Sequence, residues 1–147
     1  MAPPELFIDS SAWLPYVHPG RADAERALHR FMVATIGGLL RRGARVVTSN
    51  LVVAETHQLL LLRDRRATAL QFLHTVLGPG LEVVWSTAEL EGRALREWIE
   101  RFDDQDFSLT DAVSFTVMRD RGIRQAVALD RHFAVAGFEM LPPRRDR

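Results

Sequence analysis

Four acidic side chains stand at positions where a carboxylate either caps a helix or takes part in chemistry: Asp9, Glu55, Asp111 and Asp130. Asp9 follows the apolar run Leu6-Phe7-Ile8 directly, and Asp130 ends the run Ala126-Val127-Ala128-Leu129. Asp commonly opens a helix, so the plain structural alternative for both is an N-cap. Asp111 follows Ser108 by three residues, the spacing of a capping box, yet it shares a helical face with Phe115 and Met118 and so should point inward. Glu55 is the most telling. On a helix, Leu51, Val52, Leu59 and Leu62 fall on its own face, and a carboxylate on a core-facing apolar surface is costly unless it pairs with arginine or coordinates a metal. Asp106 lies in an acidic loop with Asp103 and Asp104, where a solvated surface charge is the ordinary reading.

No one of these positions is specific; their conjunction is. Hard oxygen ligands of this kind suit magnesium, with manganese as a substitute, rather than zinc. Like charges held close repel unless a cation lies between them. A cation so held activates a water and neutralises charge developing on a phosphate.

The elements that must position these side chains follow from apolar patterning and turn residues. Strands are expected at Glu5–Ile8, Arg45–Thr48, Leu81–Trp85, Gln125–Leu129 and Phe138–Leu141. Between them, helices are expected from Ser10 or Ser11 through Val17, over Ala22–Arg42 with Leu28, Phe31, Met32, Thr35 and Leu39 inward, and over Leu51–Leu62 behind a Ser49 or Asn50 cap. Further helices follow at Ala67–Leu77, Thr87–Arg101, Thr110–Asp120 and Arg131–Val135, with Gly-Pro-Gly at 78–80 and Gly122 as breaks. Nearly uniformly apolar strands alternating with helices predict an α/β fold with a parallel sheet covered on both faces. In such sheets ligands bind beyond the carboxyl ends of the strands, which is where Asp9 and Asp130 fall. A single domain over residues 1–141 is expected, with a disordered tail over 142–147.

The chain has 147 residues, 47% of them apolar and 26% charged, a composition that supports a packed core. It has no cysteine, which removes disulfides, zinc–thiolate sites and thiol nucleophiles and fits a cytoplasmic protein. No apolar run is long enough to cross a membrane, and the acidic start lacks the basic region of a signal peptide. Net charge is zero, and all 19 basic residues are arginine. Without lysine, a phosphotransfer receiver domain is excluded. A P-loop is excluded by the missing Gly-Lys-Ser/Thr, and a serine hydrolase by the missing Gly-x-Ser-x-Gly. The haloacid-dehalogenase pattern needs a second Asp where Ser11 stands. The five histidines, His18, His29, His57, His74 and His132, show no ligand spacing and read as surface or packing residues. Arg131, adjacent to Asp130, is the candidate phosphate contact, whereas Arg41, Arg42 and Arg45 precede the second strand and should lie at the opposite end of the sheet.

The segments FIDSSAW around Asp9, TSNLVVAET around Glu55, DFSLTDAVSF around Asp111 and AVALDRHF around Asp130 resemble the motifs of PIN domains, most nearly those of the VapC toxins of bacterial toxin–antitoxin pairs. The resemblance covers almost the whole chain in order. It implies a three-layer α/β/α fold and a magnesium-dependent endoribonuclease whose acidic quartet is Asp9, Glu55, Asp111 and Asp130. Asp106 matches an extra acidic position, and the hydroxyl of Thr110 or Ser10 could orient a ligand water. It also implies a homodimer and inhibition by a cognate VapB-like antitoxin. The rival readings are an inactive PIN-like module that binds RNA or protein, and a DNA-directed nuclease with the same metal chemistry.

Overall fold

A computed structural model describes residues 3–143; residues 144–147 of the expected tail lie outside that range. Five strands form one parallel sheet: β1 (Glu5–Ile8), β2 (Arg45–Ser49), β3 (Leu81–Val84), β4 (Gln125–Val127) and β5 (Glu139–Leu141). Their order across the sheet is β3-β2-β1-β4-β5. The chain thus builds outward from β1 to β3, then returns to the far side of β1 for β4 and β5. The strand order reverses between β1 and β4, which pair through Phe7 with Ala126 and Ile8 with Val127. A crevice is expected at the carboxyl ends of those two strands.

Seven α-helices fill the connections among the described residues: α1 (Ser10–Val17), α2 (Asp23–Arg41), α3 (Asn50–Arg63), α4 (Arg66–Val76), α5 (Ala88–Ala94), α6 (Leu109–Arg121) and α7 (His132–Val135). α5 runs on into a π-helical turn at Leu95–Glu100, so the helix expected over Thr87–Arg101 changes its winding midway. Helices α1 to α4 pack on one another, as do α5 to α7, and the sheet lies between these two groups as the middle of three layers. The α/β/α architecture expected from the sequence is therefore the one observed.

α6 is the central helix. Every residue from Asp111 to Met118 is buried, as in a helix enclosed all round. Phe115 is fully buried and stacks edge-on with Phe107, Trp98 and Phe133, joining α6 to the loop before it, to the π-helical turn and to α7. Gly122 ends α6 in the left-handed conformation (φ 67°), a geometry that carries no penalty without a Cβ. α2 departs from expectation. Phe31, placed on its inward stripe, is 49% exposed, and only Met32, Ile36 and Gly38 are buried. The reason is its neighbour: α2 packs chiefly on α1 and not on the sheet, so it needs only a narrow apolar seam.

Candidate active site

At the switch point Asp9 leaves β1 and caps α1. Its Oδ2 accepts hydrogen bonds from the Ser11 amide at 3.1 Å and the Ser11 hydroxyl at 2.7 Å. Ser11 Oγ in turn accepts the amide of Leu129 at 2.9 Å, tying the end of β1 to the segment that leaves β4. Asp111 sits in the first turn of α6, where Ser108 caps the helix and Asp111 Oδ2 accepts the Ser108 amide at 3.1 Å. Asp130 Oδ1 accepts the His132 amide at 3.0 Å. Capping and chemistry are thus not alternatives here. Each aspartate uses one carboxylate oxygen as a backbone anchor.

Asp9, Glu55, Asp111 and Asp130 line one cleft of about 940 Å³, together with Ser10 and Ser11. Leu14, Leu28, Leu59 and Leu62 form an apolar wall, and Arg21 and Arg63 also reach the lining. Asp106 and Arg131 are both exposed and do not line the cleft. Thr110 is half-buried and likewise absent from the lining, whereas Ser10 lies beside Glu55. Arg41, Arg42 and Arg45 are exposed and away from the cleft, at the amino ends of the strands.

Glu55 corrects one expectation. It does not point toward the core: α3 buries Val52, Val53, Thr56 and Leu60, while Glu55 is exposed. Leu59 and Leu62, which share its face, are cleft wall and not core. An apolar helical stripe has the same spacing whether it faces an interior or lines an open cleft.

Burial raises the Asp9 carboxyl above its ordinary value, against the lowering effect of the two Ser11 hydrogen bonds, and the negative charge of Asp111 adds to the rise. Glu55 is raised first by desolvation and then by the charges of Asp9 and Asp111, with Asp130 adding to the rise and the Ser10 hydroxyl opposing it. No arginine among the described residues is ion-paired with any of the four. Carboxylates gathered without an arginine ion pair among the described residues, one of them only 3% exposed, are a donor set that fits a divalent cation.

Two residues at the site were not singled out from the sequence. Ser11 is one. The other is His132, expected to be a surface or packing residue. Its Nδ1 lies 3.1 Å from Asp111 Oδ2 and 3.5 Å from Asp130 Oδ1. One ligand atom each from Asp111, Asp130 and His132 fit within 4.8 Å of one another. The available signal was the Asp-x-His spacing at a strand-to-helix turn, not a metal-ligand spacing between histidines.

A profile of the PIN domain matches residues 6–139. The chain belongs to the PIN-domain family. Within it, this PIN domain is 35% identical over 138 residues to the 23S rRNA-specific endonuclease VapC20 of Mycobacterium tuberculosis, covering 94% of this chain and 98% of that one. The crystal structure of M. tuberculosis VapC20, described as a sarcin–ricin loop cleaving toxin, aligns with a TM-score of 0.75 and 36% identity over 90% of this chain and 95% of that one. The crystal structure of FitAcB from Neisseria gonorrhoeae aligns with a TM-score of 0.59 at 12% identity, covering 92% of this chain and 95% of that one, a likeness of fold. Among the described residues, no helix of this PIN domain is long and apolar enough to cross a membrane.

Proposed function

We propose that this PIN domain is a magnesium-dependent endoribonuclease, the toxin of a VapBC-type pair, acting in the cytoplasm on structured RNA. The observation that carries the reading is the gathering of Asp9, Glu55, Asp111 and Asp130 around one cleft without an arginine counter-charge among the described residues. Asp9, Glu55 and Asp111 form the primary cation shell, and Asp130 stands close behind them. A bound magnesium, or manganese in its place, supplies a polarised water and offsets the charge that develops on the phosphate.

The protein's own contribution is placement. Backbone hydrogen bonds anchor the carboxylates of Asp9, Asp111 and Asp130 in the cleft lining, so little reorganisation is needed on binding. The substrate is a polyanion approaching a negatively charged pocket, so its flanking phosphates need a separate grip. Arg21 and Arg63 in the cleft lining are suited to that role, with Arg131 on the exposed turn after Asp130 as a more distant contact. Similarity to VapC20 makes a ribosomal RNA hairpin loop the first substrate class to test. A homodimer and a VapB-like antitoxin complete the reading.

Matched RNA and DNA hairpins incubated with the protein and magnesium test it. Cleavage of the RNA alone, abolished by chelation, is expected. Preferential DNA cleavage would replace the RNA reading, and binding without cleavage of either would favour an inactive PIN-like module.

A further inference from the structure

We propose that His132 is a positioning residue that sets the spacing between the Asp111 and Asp130 carboxylates; the proposal rests on the reading that these carboxylates hold a cation. The two acids come from different elements, one from the first turn of α6 and one from the turn after β4. Nothing in local helix geometry relates them. His132 contacts both: its Nδ1–H donates to Asp111 Oδ2 at 3.1 Å, and its backbone N–H donates to Asp130 Oδ1 at 3.0 Å. It thereby engages one oxygen of each carboxylate.

The ring is itself held in place. Phe107 meets it edge-on at 5.2 Å between centroids. The next residue, Phe133, is fully buried and packs edge-on against Phe115 at 5.0 Å. Phe115 lies one helical turn beyond Asp111 on the same face of α6. The path from Asp111 through α6 to α7 and back to Asp111 through the imidazole is therefore closed by packed aromatic side chains. A rigid ring on such a platform holds a donor at fixed reach, and charge-assisted hydrogen bonds to a ligating carboxylate fix its orientation. Direct ligation is the competing role. With Nδ1 at 3.1 Å from Asp111 Oδ2 and 3.5 Å from Asp130 Oδ1, ligation would have to run through Nε2, and nitrogen coupling to a bound Mn²⁺ would report it.

The test uses the full chain without RNA and takes Mn²⁺ as the probe, its affinity measured by electron paramagnetic resonance titration. His132→Phe and His132→Leu keep an apolar side chain against Phe107 but remove the donor. Each should bind Mn²⁺ about 10-fold to 100-fold more weakly, the usual cost of losing a partner of a metal ligand. His132→Asn, whose amide N–H can stand near the Nδ1 position, should recover most of that affinity. Thermal melts of each variant report whether it is folded. The pulsed resonance spectrum of wild-type-bound Mn²⁺ should show no coupling to a ring nitrogen. Unchanged affinity in a folded Phe or Leu variant, with wild-type binding intact, would overturn the positioning role alone. So would nitrogen coupling, which would make His132 a ligand. Failure of the wild type to bind Mn²⁺ at all would instead overturn the cation reading and the proposal with it.

Discussion

The two ends of the sheet carry acids of the same types in opposite electrostatic states. At the amino end, Glu82 on β3 meets Arg121 at the last turn of α6 through two hydrogen bonds of 2.6 and 2.5 Å, and Glu5 on β1 lies 3.9 Å from the same guanidinium. The hydrogen bonds from Arg121 lower the Glu82 carboxyl below its ordinary value and raise the arginine. At the carboxyl end, Asp9 and Glu55 are raised, first by desolvation and then by the charge of neighbouring carboxylates, Asp111 for Asp9 and Asp9 with Asp111 for Glu55. α6 spans both environments, with Asp111 in its first turn and Arg121 at its end. An acid matched by arginine is an element of structure. An acid grouped with other acids in a cleft is held at a cost to the metal-free protein, a cost that a bound cation would offset.

The largest expected effect comes from breaking the unmatched end. Asp9→Asn together with Asp111→Asn preserves size and capping geometry, because the amide oxygen still accepts the amide protons of Ser11 and Ser108. Magnesium-dependent RNA cleavage should fall by orders of magnitude while the circular dichroism spectrum is unchanged. Full activity in the double variant would remove these carboxylates from the reaction.

The next effect concerns the protein without metal. Because the folded pKa of Asp9 is raised, its carboxyl loses its proton in the unfolded chain before it does in the native one. The native state binds more protons in that window, so stability should fall as pH rises from the ordinary Asp value of 3.8 through the raised one. Asp9→Asn should flatten this slope and leave the chelated protein at least as stable as wild type at neutral pH. Added magnesium should raise the wild-type melting temperature and have less effect on the variant. Melts in chelator and in magnesium across pH check both statements; a metal-free variant clearly less stable than wild type would mean Asp9 acts mainly as a cap.

Much of this contrast was legible in the sequence because it is local. An apolar run that ends in Asp, as at Ile8-Asp9 and Leu129-Asp130, announces a carboxylate near the sheet edge wherever the rest of the chain goes. The Ser108 and Asp111 pair announces a helix start in the same way. What was misread depends on partners far along the chain. Glu55 and Phe31 lie on apolar helical stripes, but which of two neighbours a stripe meets, core or cleft, sheet or helix, is decided by packing that spacing does not encode. Ser11 and His132 join the site through bonds to Leu129 and Asp111, separated from them by 118 and 21 positions. The Arg121 to Glu82 match likewise crosses 39 positions and has no sequence signature.

The smallest effect lies at the matched end, and it sharpens the comparison by its sign. Glu82→Gln removes a carboxylate whose lowered pKa gives stability above the unfolded value of 4.5, a contribution lost as pH falls through the folded value. Glu82 is 47% exposed at its side chain and Arg121 32%, so solvent screens the pair and the loss should be no more than about 1 kcal/mol at neutral pH. Arg121 also retains Glu5 at 3.9 Å, which cushions the change. RNA cleavage should be unaffected, because Glu82 does not line the cleft. Denaturant melts of Glu82→Gln, Arg121→Gln and the double variant isolate the coupling between the two side chains. The expected pattern is opposite to that at Asp9: wild type more stable than the Gln variant at neutral pH, and the two converging toward acid. A Glu82→Gln protein more stable than wild type at neutral pH would mean that the arginine does not offset the cost of that carboxylate, and the two ends of the sheet would then differ in degree and not in kind.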